Sequence, residues 1–160
     1  MNHDPSVGRL PQVTPDPRLA ARLSRSLADE MAAIHTYEFQ STLLEGIDNE
    51  ASRLFASIAM DEMRHYRMQS RLIRALGGTP GANARVSTPS IDLSQDASCR
   101  ALPVVRRFLA SDMRDEAAAI SEYRSIAETA ADPTVRGIME EILSDEQRHY
   151  HALSDLSGRV

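Results

Sequence analysis

Asp61-Glu62-Met63-Arg64-His65-Tyr66 and Asp145-Glu146-Gln147-Arg148-His149-Tyr150 are two copies of one pattern. Residues three apart on a helix share a face, so Glu62 can act with His65, and Glu146 with His149. Upstream of each copy stands a second matched piece. Asp29-Glu30 is followed by Tyr37, and Asp115-Glu116 by Tyr123. The order is Glu, Glu-x-x-His, Glu, Glu-x-x-His. A lone Glu-x-x-His on a helix is weak evidence, because most are surface accidents. Two copies with matching flanks, each preceded by its own Glu, point to a dinuclear metal site. Glu30, Glu62, His65, Glu116, Glu146 and His149 are its expected metal ligands and catalytic groups. Four carboxylates balance two divalent cations with both imidazoles neutral. Without metal the carboxylates would repel one another and some would take up protons, so metal is expected to stabilise the fold.

The segments carrying these residues read as four helices. The first opens at Asp16-Pro17, where Asp can cap and Pro suits the first turn. Leu19, Leu23, Leu27, Ile34, Tyr37 and Leu44 give it an apolar stripe of helical spacing, and it ends near Gly46. The second is expected from Asn49 to Leu76, with Leu54, Ile58, Leu72 and Leu76 in its core, and Gly77-Gly78-Thr79-Pro80-Gly81 stops it. The third is expected from Ala101 to Ala131, with Pro103 in its first turn. The fourth restarts at Asp132-Pro133 and ends near Leu156. Residues 77–99 lack helical periodicity and form a linker of roughly 23 residues, long for a compact domain. The fold class is therefore all-α: a four-helix bundle of two antiparallel hairpins joined by a long crossover between the second and third helices. Residues 16–158 make up the bundle, and 1–15, with three prolines, an extended or disordered arm. From Asp29 to Asp115 is 86 residues and from Asp61 to Asp145 is 84, so the halves are expected to be related by a pseudo-twofold axis through the site.

Composition removes several alternatives. Every basic residue besides histidine is Arg, so lysine chemistry is excluded. A net charge of −5 argues against nucleic acid, which needs a basic face. The stripe Arg64, Arg67, Arg71 and Arg74 reads as a solvated or ion-paired helix face, with a contact surface for a partner subunit as the alternative. Cys99 is alone, which fits a reducing cytoplasm and offers no Cys-x-x-Cys knuckle. No apolar run of about 18 residues exists to span a membrane, and no signal peptide is evident.

The flanks of the ligands repeat as well. Asp61 and Asp145 could each accept the free ring N–H of the opposite repeat's His, fixing its tautomer; the plainer reading is a surface acid. Arg64 and Arg148 could pair with those aspartates. Tyr37 and Tyr123, seven residues after Glu30 and Glu116, are expected in the core with the hydroxyl on a ligand carboxylate. Tyr66 and Tyr150 are expected to pack over the site. His35, His151, Glu38 and Glu122 fall off the ligand face, although Glu38 could line an access path.

The pattern resembles the ferritin-like superfamily of di-iron carboxylate proteins. Glu30 to Tyr37, Asp61 to Gly77 and Ile138 to His149 look most like bacterioferritin and the small bacterial rubrerythrin-type proteins. The resemblance implies two iron ions, with Glu62 and Glu146 bridging, Glu30 and Glu116 terminal, and one His on each metal. Carboxylate and imidazole suit iron and also manganese. There are departures. Rubrerythrin adds a Cys-rich iron–sulfur module absent here, and its extra Glu after the third-helix ligand is Ala119. Bacterioferritin has a fifth helix, for which the 11 residues after His149 leave no room, so a storage cage of 24 subunits is not expected. Met63 stands where bacterioferritin's haem-ligating Met does, although an ordinary interface Met is the plainer reading.

The expected function is that of a non-haem di-iron oxidoreductase of ferroxidase or peroxidase type, oxidising Fe(II) with O2 or H2O2 or reducing peroxide. Iron storage without turnover, a dimanganese catalase and a di-iron oxygenase are the alternatives. Its partners would be O2 or H2O2, an unidentified electron donor and, through an apolar seam on the first two helices, a second copy in a homodimer.

Overall fold

The computed structural model describes residues 9–81 and 97–160, with the side chains of 97–101 left out of account. Four helices follow in order: α1 (Pro17–Leu44), α2 (Asn49–Ala75), α3 (Ala97–Thr129) and α4 (Pro133–Ser157). No strand occurs among the described residues. Most of the arm (1–8) and of the linker (82–96) lies outside them. Residues 9–15, the rest of the arm, are non-helical.

Local chemistry sets the helix ends. Asp16 accepts from the backbone N–H of Arg18 and Leu19, both at 3.0 Å, with Pro17 in the first turn. Asp48 caps α2 through Glu50 and Ala51, and Asp132 caps α4 through Thr134 at 2.9 Å. Each such cap is worth about 1 kcal/mol. Asp132 also accepts from Thr14 N–H at 3.2 Å, tying the segment before α1 to the start of α4. At the end of α2, Gly77 adopts φ +88°, a left-handed conformation that stops a helix and that other residues enter at a cost. One expectation shifts. The helix expected from Ala101 begins at Ala97, so Pro103 lies within its second turn rather than its first. Having no N–H, it leaves one helical carbonyl without its usual donor.

α1 packs along α2 and α3 along α4, and the hairpins meet through α1–α3 and α2–α4. The apolar core divides into two plugs. One holds Leu23, Leu27, Leu72, Ile73, Ile126, Met139 and Ile142. The other holds Leu44, Phe55, Ile58, Phe108, Leu109, Leu153 and Leu156. The apolar residues expected in the first two helices are buried, with Leu19 and Leu54 partly so. Gly78 allows the α2 end to lie against α1. A Cβ there would stand 2.8 Å from Ala20 Cβ and 3.0 Å from Ile73 Cγ2. Gly78→Ala should therefore overpack this corner, costing about 1–3 kcal/mol and lowering the thermal midpoint in a calorimetric scan.

Candidate metal centre

Between the two plugs lies a buried polar layer. Glu30, Glu62, His65, Glu116, Glu146 and His149 are all at most 4 % exposed. Each helix contributes at its own register: Glu30 from α1, Glu62 and His65 from α2, Glu116 from α3, Glu146 and His149 from α4. All six expected residues are thereby brought together. They fall into two overlapping groups whose ligand-type atoms lie within 4.8 Å of one another: Glu30, Glu62, His65 and Glu146, and Glu62, Glu116, Glu146 and His149. Glu62 and Glu146 belong to both. His65 Nδ1 stands 3.1 Å from Glu146, 3.5 Å from Glu62 and 3.8 Å from Glu30. His149 Nδ1 stands 3.1 Å from Glu62, 3.4 Å from Glu146 and 3.7 Å from Glu116. The ring centroids are 5.8 Å apart.

These six residues fit a pair of metal ions. His65 Nδ1, His149 Nδ1 and Glu30 Oε2 are buried and make no properly aimed hydrogen bond. Buried polar atoms normally have partners, and here the orphans all point into the layer. The far side of each ring is occupied. His65 Nε2 meets Asp145 Oδ2 at 3.2 Å, and His149 Nε2 meets Asp61 Oδ2 at 3.3 Å. Each His is thus oriented by the aspartate of the opposite repeat, with Nδ1 left inward. Arg64 and Arg148 both bond Asp145, and each also lies near Asp61, at 3.6 and 3.9 Å.

The tyrosines cross over in the same way. Tyr37 on α1 donates to Glu116 on α3 at 2.5 Å, while Tyr123 on α3 donates to Glu30 on α1. Tyr66 and Tyr150 are half-buried, and no hydrogen bond to a ligand carboxylate appears for either. His35, His151 and Glu38 are exposed. Met63 is partly exposed, with its sulfur accepting from Arg67 at 3.4 Å.

The electrostatics are those of an excess of negative charge. Burial, then the neighbouring Glu62 carboxylate, pushes Glu30 well above the ordinary range. Burial likewise pushes Glu116 up to about 8. Burial also opposes charge on Glu62, but its contacts with His149 and His65 prevail and hold it below its usual value. Burial disfavours the charged rings too. Even so, Glu146 and Glu62 raise His65 to about 10, and Glu116, Glu146 and Glu62 raise His149 to about 12. The metal-free layer therefore holds protons where cations would otherwise sit.

A cavity of about 680 Å³ opens between α1 and α3 and reaches Glu30, Glu62, Glu116 and Glu146. Its walls carry Asp29, Asp115 and Glu122 rather than the expected Glu38. Glu38 lies on the exposed face of α1, whereas Glu122 turns inward to hold Arg22 at 2.7 Å. Five further buried polar residues escaped the sequence reading: Gln69, Ser26, Asp112, Gln40 and Ser52. The signal for two of them was spacing. Gln69 is seven residues after Glu62, and Asp112 four before Glu116, both on the ligand faces.

Comparison with known proteins gives one consistent picture. The Ferritin-like domain family matches residues 20–160. The bacterioferritin of Desulfovibrio desulfuricans is 27 % identical over 139 residues, 86 % of this chain and 73 % of that protein. A solved structure of D. desulfuricans bacterioferritin, described as showing its di-iron site in different catalytic states, aligns with a TM-score of 0.73 at 26 % identity. It covers 88 % of this chain and 78 % of that one. The dodecameric thioferritin of Bacteroides fragilis aligns with a TM-score of 0.72 at 23 % identity, covering 89 % and 86 %. At that identity the likeness is one of fold.

Proposed function

We propose that this chain, which belongs to the ferritin-like domain family, binds two iron ions through Glu30, Glu62, His65, Glu116, Glu146 and His149 and oxidises Fe(II). In that reading Glu62 and Glu146 serve both metals, and Glu30 with His65 and Glu116 with His149 serve one each. The observation that carries it is the duplicated cluster with three buried, unpartnered ligand atoms, Glu30 Oε2, His65 Nδ1 and His149 Nδ1, facing one another. Carboxylate oxygen with imidazole nitrogen, and no thiolate among these six residues, is a donor set suited to iron. The similarity to a bacterioferritin with a di-iron site supports the same assignment.

Bound iron would supply the electrons that reduce O2 or H2O2. The protein's own residues do the rest. Asp61 and Asp145 hold the His rings so that Nδ1 faces inward. Tyr37 and Tyr123 hold the outer oxygens of Glu116 and Glu30. The two apolar plugs keep bulk water from both ends of the layer, and the cavity between α1 and α3 gives small solutes a way in. Among the described residues no helix is long and apolar enough to cross a membrane. A reducing cytoplasm, where Fe(II) persists, is the compartment this reading requires.

The test is oxidation of anaerobically loaded protein. Ferric absorbance should rise on mixing with O2 or with H2O2, and the faster oxidant identifies the reaction as ferroxidase or peroxidase type. Iron uptake without oxidation by either would overturn the redox reading in favour of storage. Asp145→Ala should lower iron affinity about 10–100-fold, read by competition with a chelator, because His65 loses the group that orients it.

A further inference from the structure

The pseudo-twofold repeat is broken at three buried polar positions, and the break falls unequally on the two terminal carboxylates. Counting from the matched aspartates, Gln69 on α2 corresponds to Leu153 on α4, and Ser26 on α1 corresponds to Asp112 on α3. Gln40 on α1 corresponds to Ile126. In the first half, Gln69 is fully buried and all of its side chain is used. Its Nε2 donates to Glu30 Oε1 at 2.5 Å and to Tyr123 Oη at 2.9 Å, while its Oε1 accepts from Ser26 Oγ at 2.8 Å. Glu30 Oε1 therefore takes two donors, Gln69 and Tyr123, leaving Oε2 unpartnered and turned toward the His65 group.

The second half has nothing equivalent. Glu116 Oε1 takes Tyr37 alone. Leu153 carries no donor. Asp112 bonds Gln40 at 3.0 Å, and its other oxygen is buried without a partner.

We infer that Gln69, backed by Ser26, is a positioning residue that fixes Glu30 and makes the Glu30–His65 half of the site bind its metal more tightly than the Glu116–His149 half. The inference rests on the dinuclear reading above. A ligand carboxylate already held in place loses less freedom when metal binds. Outer hydrogen bonds of this kind carry about 10–100-fold in metal affinity.

The experiment is an anaerobic titration of the full chain with Co(II), a redox-inert reporter followed by its visible absorbance. Wild type should take two ions per chain in two resolved steps. His149→Ala should keep the tight step and His65→Ala should lose it, which assigns the steps to the halves. Gln69→Leu gives the first half the residue its repeat carries. It should still take two ions, with the tight step weakened about 10–100-fold toward the second. Gln69→Met, which keeps the side chain's length without the amide, should do the same. Ser26→Ala should shift the tight step in the same direction by less. Tyr37→Phe should instead weaken only the second step. Two equal steps in wild type, or a gap unchanged in the folded Gln69 variants, would overturn the inference while leaving the dinuclear site standing. Fewer than two ions in wild type would overturn the dinuclear reading and this inference with it.

Discussion

Glu62→Ala is expected to end two-metal occupancy, taking the chain from two tightly bound ions to at most one. Glu62 stands in both ligand groups, within 3.1 Å of His149 Nδ1 and 3.5 Å of His65 Nδ1. Losing it removes an oxygen donor from each metal at once. His149→Ala should also end dinuclear occupancy, but through one metal only. Neither change should unmake the bundle, because the helices are held by apolar plugs on both sides of the layer. Losing Glu62 also takes a carboxylate partner from both buried rings and leaves a cavity, so the metal-free variant should be less stable than wild type while keeping its helix content. Elemental analysis after gel filtration reads the stoichiometry, and far-ultraviolet circular dichroism reads the helix content. Two ions retained by either variant would show the ligand assignment to be wrong.

Metal should matter more to stability as pH rises. Glu116, moved up to about 8, and Glu30, also raised, hold protons in the folded metal-free protein that the unfolded chain gives up near its ordinary carboxylate range. His65, at about 10, and His149, at about 12, do the same above the ordinary imidazole value. In each case the folded state binds more protons than the unfolded state, so stability falls as pH rises. The window opens near the ordinary carboxylate value and runs through pH 8 for Glu116 and beyond for the two histidines. Glu62 and Glu146 are shifted down, so their contribution is lost only in acid, below that window. The metal-free protein should thus show a thermal midpoint that declines between pH 5 and 9. Two divalent cations replace the protons, so the metal-loaded protein should decline far less. A metal-free midpoint that climbs across the same range would contradict the proton-filled layer.

The clustering of the six side chains was legible because the chemistry of a metal pair imposes a spacing and the chain repeats it. Glu62 with His65 and Glu146 with His149 need a helix to share a face, and the segments around them have a helix's apolar periodicity. The crossing contacts were legible for the same reason. Asp61 and Asp145 lie one residue before a ligand, and Tyr37 and Tyr123 lie seven after one, so the repeat that places one of each pair places the other. What breaks the repeat was harder to see. Gln69 lies on the ligand face, but a lone glutamine in a helix carries no signature until Ser26 and Tyr123 are seen beside it. Asp112 reads as one more acid in an acidic stretch, and only its burial against Gln40 sets it apart. The start of α3 was missed because Pro103 marks a first turn more often than a second. Glu38 reads in the sequence as a residue that could line an access path, whereas the cavity follows the α1–α3 seam, a register that one helix alone does not specify.

The central claim is that two metal ions sit in this layer on six named side chains. Crystals loaded anaerobically with Fe(II) and measured across the iron absorption edge test it most directly. The account predicts two anomalous peaks per chain, both touching Glu62 and Glu146, one beside Glu30 and His65 and the other beside Glu116 and His149. A single peak, or peaks away from these residues, would contradict it.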